Sequence, residues 1–358
     1  MKRNTATRLG MVAGVLFGMV LTACGQGAAI EKKELLDNMQ KATQSVPRQK
    51  SISVQELTME GLFSMKTEQS SETDFPAKTI HTVSEIKDYA FDPQGFFNAA
   101  SEAAIAQARK NGATEEQIKK MQDDPLMRAE MEKQMAEVSR KIKSKKTEQY
   151  IIGSNVCLKI QDAWYSVHQP YLDKFWEVAE AMRNSPQGAN KEELMKEFPK
   201  ELQDALGSMF SYLRSEEFSN GSFIASVADG QFAGNPAYEL DIKDKKLTDA
   251  LEQTIMAYAR QQSGPDVNVN VESFTGRNFV AKDTFLPLGS DVSMTVSIRA
   301  KDNPKVMKAA LRARETAAYP SEGVRVPPEV AGAKKVKDEA ELQKLLMESL
   351  SREFGSGQ

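Results

Sequence analysis

The chain has 358 residues, with 47 Lys and Arg against 50 Asp and Glu and a formal charge of -3. That balance argues against nucleic acid as a partner, because a phosphate-binding surface needs a basic excess. A hydrophobic content of 40% beside 27% charged residues, at a mean hydropathy of -0.49, describes a soluble body with a sizeable core, long enough for roughly one to three domains.

Lys2, Arg3 and Arg8 flank an apolar run, Leu9 to Val20, that is shorter than the ~20 residues needed to cross a bilayer core. Residues 1–23 therefore read as a signal peptide. Leu21-Thr22-Ala23-Cys24 fits the bacterial lipobox, in which small residues precede a cysteine whose thiol accepts diacylglycerol. A buried methylene contributes ~0.8 kcal/mol, so two or more chains hold where one does not. Cys24 is expected to be the lipidated N-terminus, with residues 24–30 as a short tether. The alternatives are an ordinary cleaved signal with a cysteine nearby, or an uncleaved anchor. The expected location is the outer face of the cytoplasmic membrane, or the outer membrane in a two-membrane host.

Next in order, "AAIEKKELLDNMQKATQS" spaces Leu35, Leu36, Met39 and Ala42 as a helix, stopped by Pro47. "SISVQELTMEGLFSMKT" alternates at Ile52 and Val54, then shifts parity to Leu57, Met59, Phe63 and Met65, as a bulge or a change of face requires. "KTIHTVSEIKDYAF" reads as its antiparallel partner. From Phe96 to Lys146 the composition turns helical, with a Thr114/Gln117 capping pattern, Asp124-Pro125 at a helix start and a stripe of Met127, Met131, Met135, Val138 and Ile142. This is a helical insertion between strands.

"EQYIIGSNVCLKIQDAWYSV" returns to strands. Cys157 lies there in an alternating apolar context and reads as a buried structural thiol. Pro170 opens a helix carrying Leu172, Phe175, Trp176, Ala179 and Met182, and a region from Lys191 to Arg214 carries Met209 and Phe210. Strands then run through Phe223 to Val227, Tyr238 to Ile242, Val267 to Val271 and Val292 to Ile298, with a helix at Leu247 to Tyr258 between them. Residues 305 to 318 look helical by propensity. After an extended "VRVPPEVAGAKKV", residues 334–358 form an amphipathic helix with an Asp338/Glu341 cap and a frayed tail.

No nucleophile elbow, phosphate loop, H-E-x-x-H or paired-cysteine motif occurs. Ser84-Glu85-Ile86-Lys87 matches S-x-x-K without its partner motifs. Two histidines, His81 and His168, would leave zinc under-coordinated. No metal, cofactor or catalytic set is expected. Trp164, Phe175, Trp176, Met209, Phe210, Met131 and Met135 either fill a core or line an apolar cavity that accepts an acyl chain.

"ELLDNMQKATQSVPRQKSISVQELTMEGLFSM", "YIIGSNVCLKIQDAWYSV", "DTFLPLGSDVSMTVSI" and "VRVPPEVAGA" together resemble an uncharacterised group of Firmicutes-type lipoproteins with a LolA/LolB-like fold, across residues 31–333. The resemblance implies an α+β fold, a curved, mostly antiparallel sheet forming an unclosed barrel around helices. It also implies a strand before "VRVPPEV", so a strand is expected at 305 to 318 against propensity. Relatives with this fold carry lipoproteins or lipids between membranes, or sense envelope components. The insertion at 96–146 and the helical region at 169–219 exceed what a minimal carrier needs. The function expected is non-enzymatic binding of an acyl chain or other hydrophobic ligand; the alternative is an envelope sensor or interaction module, with the charged insertion contacting another envelope protein.

Overall fold

The computed structural model describes residues 31–95, 145–184, 215–263, 266–300 and 306–355, with scattered positions between 96 and 144 and between 201 and 214. The leader with Cys24, the insertion stripe with Met131 and Met135, and Met209 and Phe210 all lie outside the described residues.

Helix α1 (Lys32–Ser45) buries Leu35 and Met39, one turn apart on one stripe, and runs straight into the first strand. Strands β1 (Arg48–Met59), β2 (Phe63–Asp74) and β3 (Thr79–Phe91) form an antiparallel meander. The single long strand expected over residues 51–67 is thus two strands. Gly61, with φ +69°, turns the chain, a conformation that a side chain would strain. The parity shift is a change of face within β1, whose register shows no bulge.

Strands β4 (Lys146–Ile152), β5 (Asn155–Ile160) and β6 (Ala163–His168) extend the meander and lead into α2 (Tyr171–Asn184). After the short α3 (Glu216–Ser219) come β7 (Ile224–Phe232), β8 (Asn235–Ile242), α4 (Lys245–Ser263), β9 (Val267–Ala281), β10 (Pro287–Ala300) and β11 (Met307–Ala318). Residues 307–318 are a strand as the resemblance implied, and their burial alternates strictly along it. Then α5 (Pro328–Ala331), β12 (Lys334–Lys335) and α6 (Glu339–Gly355) close the chain. Asp338 Oδ1 accepts from Glu341 N at 2.9 Å, the expected cap of α6.

All twelve strands form one sheet in the order β12-β6-β5-β4-β3-β2-β1-β11-β10-β9-β8-β7. Every pairing is antiparallel except β12 with β6. The order is linear, so the sheet is curved but unclosed, and the fold class is α+β as expected.

The longer helices α1, α2, α4 and α6 pack on one face, while Val330 of the short α5 packs on the other beside Tyr150 and Cys157. At one end Leu35 and Met39 of α1 and Leu247 and Ala250 of α4 meet Leu240, Ile242 and Val280. At the other, Leu172 and Trp176 of α2 and Leu342 of α6 meet Ile80, Ile151, Val156 and Val167. Leu342 of α6 thus joins this core, and β12 joins the sheet.

Candidate functional site

Residues paired across antiparallel strands point to the same face, so register alone maps the helix face between the two cores. One row across it is apolar: Phe274, Met294, Leu311, Leu57, Met65 and Tyr89 are successive partners on β9, β10, β11, β1, β2 and β3. All six are half-buried.

A second row is polar. Asn278, Ser290, Glu315, Ser53, Gln69, Ser84 and Thr147 are successive partners from β9 to β4. Leu311 and Glu315 are four positions apart along β11, so the rows lie about 13 Å apart along the strands at ~3.3 Å per residue. Together they make the helix face of the middle strands amphipathic, apolar at one end and polar at the other.

The charges of these strands go elsewhere. In the ten strands between the edge strands β12 and β7, Glu315 is the only acidic or basic side chain whose register places it on the helix face. Lys50, Lys66, Arg277, Lys308, Arg312 and Arg314 all take the open face, where Arg277 bridges Glu239 at 3.1 Å and Asp291 at 3.3 Å. Burial raises the Glu315 carboxyl above the ordinary carboxylate range, and a hydrogen bond from Ser51 pulls back against it. Nearby Tyr319 donates to Pro287 O at 2.9 Å, and its phenol is pushed far up by burial and by the Glu315 charge.

Asn278 is 2% exposed, and neither its amide nitrogen nor its oxygen has a hydrogen-bond partner among the described residues. Ser290 beside it is equally buried. Thr43 Oγ1, one turn beyond Met39 on the sheet-facing stripe of α1, is also buried without a partner. Such groups are rare, since each forgoes the hydrogen bonds water would give it.

The structure separates the expected site residues. Phe175 and Trp176 stand together, ring centroids 5.2 Å apart. Trp176 is 3% exposed in the α2 core, with its indole N–H given to Gly153 O at 2.9 Å, so it packs as core. Trp164 lies on the opposite face of the sheet, edge-on to Tyr150 at 5.6 Å and beside Cys157 and Val330. It cannot share a cavity with Trp176, because neighbouring β6 positions point to opposite faces. Sequence reasoning missed Asn278, Ser290 and Glu315; their only signal was polar residues at inward parity in strands otherwise apolar on that face.

Cys157 is buried, as its context implied, and its thiol is raised by burial, with a hydrogen bond from Ser166 acting against this. The S-x-x-K match does not assemble: Ser84 faces the helices, while Lys87 Nζ sits 2.8 Å from Glu85 on the open face. No group of potential metal ligands occurs among the described residues, and none of the described helices is long and apolar enough to cross a membrane.

The geometry defines an α+β protein with one open, curved, mostly antiparallel sheet whose helix face carries an apolar row and a polar row. No protein-family model and no curated protein matches the sequence. Among solved structures the chain is similar to LprF from Mycobacterium bovis, at 8% identity and a TM-score of 0.34 over 83% of this chain and 96% of that one. It is also similar to the LolA superfamily protein NE2245 from Nitrosomonas europaea, at 5% identity and a TM-score of 0.20 over 84% of this chain and 97% of that one. At these scores the likeness carries no argument about ligand or activity.

Proposed function

We propose that this is a non-enzymatic binding protein of the bacterial envelope, anchored through a lipid on Cys24, that holds the acyl chain of a hydrophobic ligand between the sheet and its helices. The observation that supports this most is the row of Phe274, Met294, Leu311, Leu57, Met65 and Tyr89, which starts where Phe274 and Met294 pack on the core of Val267, Val269, Val271 and Val296 and runs on across the middle strands. These side chains are half-buried, and methionine adapts readily to a flexible chain. The ligand residues shift accordingly, from the aromatic pair of α2 to the middle strands.

The test is native mass spectrometry of the full chain carrying Cys24→Ser, followed by titration with a fluorescent fatty acid. Co-purifying lipid and saturable uptake are expected. Leu311→Gln should weaken uptake about tenfold, since a buried leucine contact contributes ~1.5–3 kcal/mol, and leave circular dichroism unchanged. A protein that is always empty and takes up no fatty acid would refute the reading.

A further inference from the structure

The polar row asks for a ligand group of its own, and its chemistry is restrictive. Asn278 offers two donors and an acceptor, all unmet, from a side chain 2% exposed. Ser290 on the adjacent strand, and Ser53 and Gln69 beyond Glu315, add hydroxyl and amide groups at strand spacings of roughly 5 Å.

No lysine or arginine of the ten inner strands faces this row. Lys32 of α1 is already committed to Ile224 O at the β7 edge. An anionic head group would therefore meet one carboxyl and no strand cation, which disfavours it. A head that lacks hydrogen-bonding groups would leave Asn278 as orphaned as before. An uncharged hydroxyl-bearing head satisfies donors and acceptors alike.

We propose that the row from Asn278 through Ser290 and Glu315 to Ser53 is a head-group subsite for an uncharged, polyhydroxyl amphiphile, such as an acylglycerol, whose chain lies on the Leu311 row. This rests on the acyl-chain reading above and adds the class of ligand. The spacing of about 13 Å between the rows matches an amphiphile aligned with the strands, head at Asn278 and tail toward Leu57.

The experiment is displacement of the fluorescent fatty acid from the Cys24→Ser chain by amphiphiles of one chain length. The four probes are a 1-monoacylglycerol, a lysophosphatidate, an alkyl amine and a fatty acid methyl ester. The monoacylglycerol should bind at least about tenfold tighter than the other three, the value of one buried hydrogen-bonding set. Asn278→Leu should bring the monoacylglycerol down to the methyl ester and leave the methyl ester unchanged. Asn278→Ser, smaller and still polar, serves if the leucine variant does not fold, and should give an intermediate loss.

Equal affinity for all four probes, insensitive to Asn278, would overturn the head-group subsite while leaving acyl binding intact. Tightest binding of the lysophosphatidate or the amine would overturn it in favour of a charge site. Failure of every probe to displace or bind would instead remove the acyl-chain reading itself.

Discussion

Asn278 and Glu315 are the residues whose placement costs stability most plainly. A buried polar side chain without partners costs about 1–3 kcal/mol, and Asn278 leaves both amide atoms unmet. Asn278→Leu should therefore raise the melting temperature of the ligand-free protein while removing head-group selectivity; a lower melting temperature with a preserved fold would show that the amide supports the structure. Glu315 makes a pH-dependent contribution. Its folded pKa is raised by burial, so the native state binds more proton than the unfolded chain above the ordinary carboxylate range. Stability then falls as pH rises from about the ordinary glutamate value of 4.5 through the raised folded value. Asp74 acts in the opposite sense: burial works to raise it, but the Arg48 guanidinium and the Ala77 and Val324 backbone N–H groups hold it low, so its contribution is present above the unfolded carboxylate pKa and lost as pH falls through the folded one. Comparing the protein with Glu315→Gln isolates the first effect. The wild type should lose stability relative to the variant between acid and neutral pH in chemical denaturation; parallel curves would mean Glu315 is not perturbed.

Strand β10 shows how closely an element can be set by one position. A Cβ at Gly289 would sit 2.2 Å from Glu315 O and 2.6 Å from the Phe232 ring. That ring stacks on Phe279 at 4.4 Å and lies under the Arg314 guanidinium at 5.8 Å. Gly289→Ala should cost about 1–3 kcal/mol by overpacking, seen as a lower melting temperature, and an unchanged value would mean the β10–β11 register yields freely. Nothing in the sequence marks this glycine, because the clash comes from β7 and β11. The same limit explains what was legible. Helix α1, the α6 cap and the strands around Leu240, Val269 and Val296 follow from local periodicity and capping. Residues 307–318 have helical propensity but alternate Met307, Ala309, Leu311 and Ala313 inward against Lys308, Arg312 and Arg314 outward, so tertiary pairing overrides propensity. The polar row was illegible because its members lie on seven strands from residue 53 to 315, and only the register brings them into line.

At the scale of the whole molecule, the sheet sorts chemistry by face. Lysines, arginines and nearly all acids of the inner strands stand on the open face, many in exposed pairs that add little stability, the buried Asp74 with Arg48 being an exception. The helix face is almost neutral, which suits it to a ligand that would be repelled by, or would neutralise, a charged lining. If residues 1–30 act as read from the sequence and the helix face holds an acyl chain as proposed, the tether and the binding face are independent devices: acyl groups on Cys24 hold the protein at the membrane, and the sheet takes the ligand. Stable anchoring needs at least two acyl chains, so removing the attachment atom should release the body completely. In fractionated cells, Cys24→Ser should move the protein from the carbonate-resistant membrane pellet to the soluble fraction, with fatty acid uptake unchanged. If the variant stays in the pellet, the leader itself is the anchor. If release abolishes uptake, acyl binding depends on the membrane surface and the two devices are one.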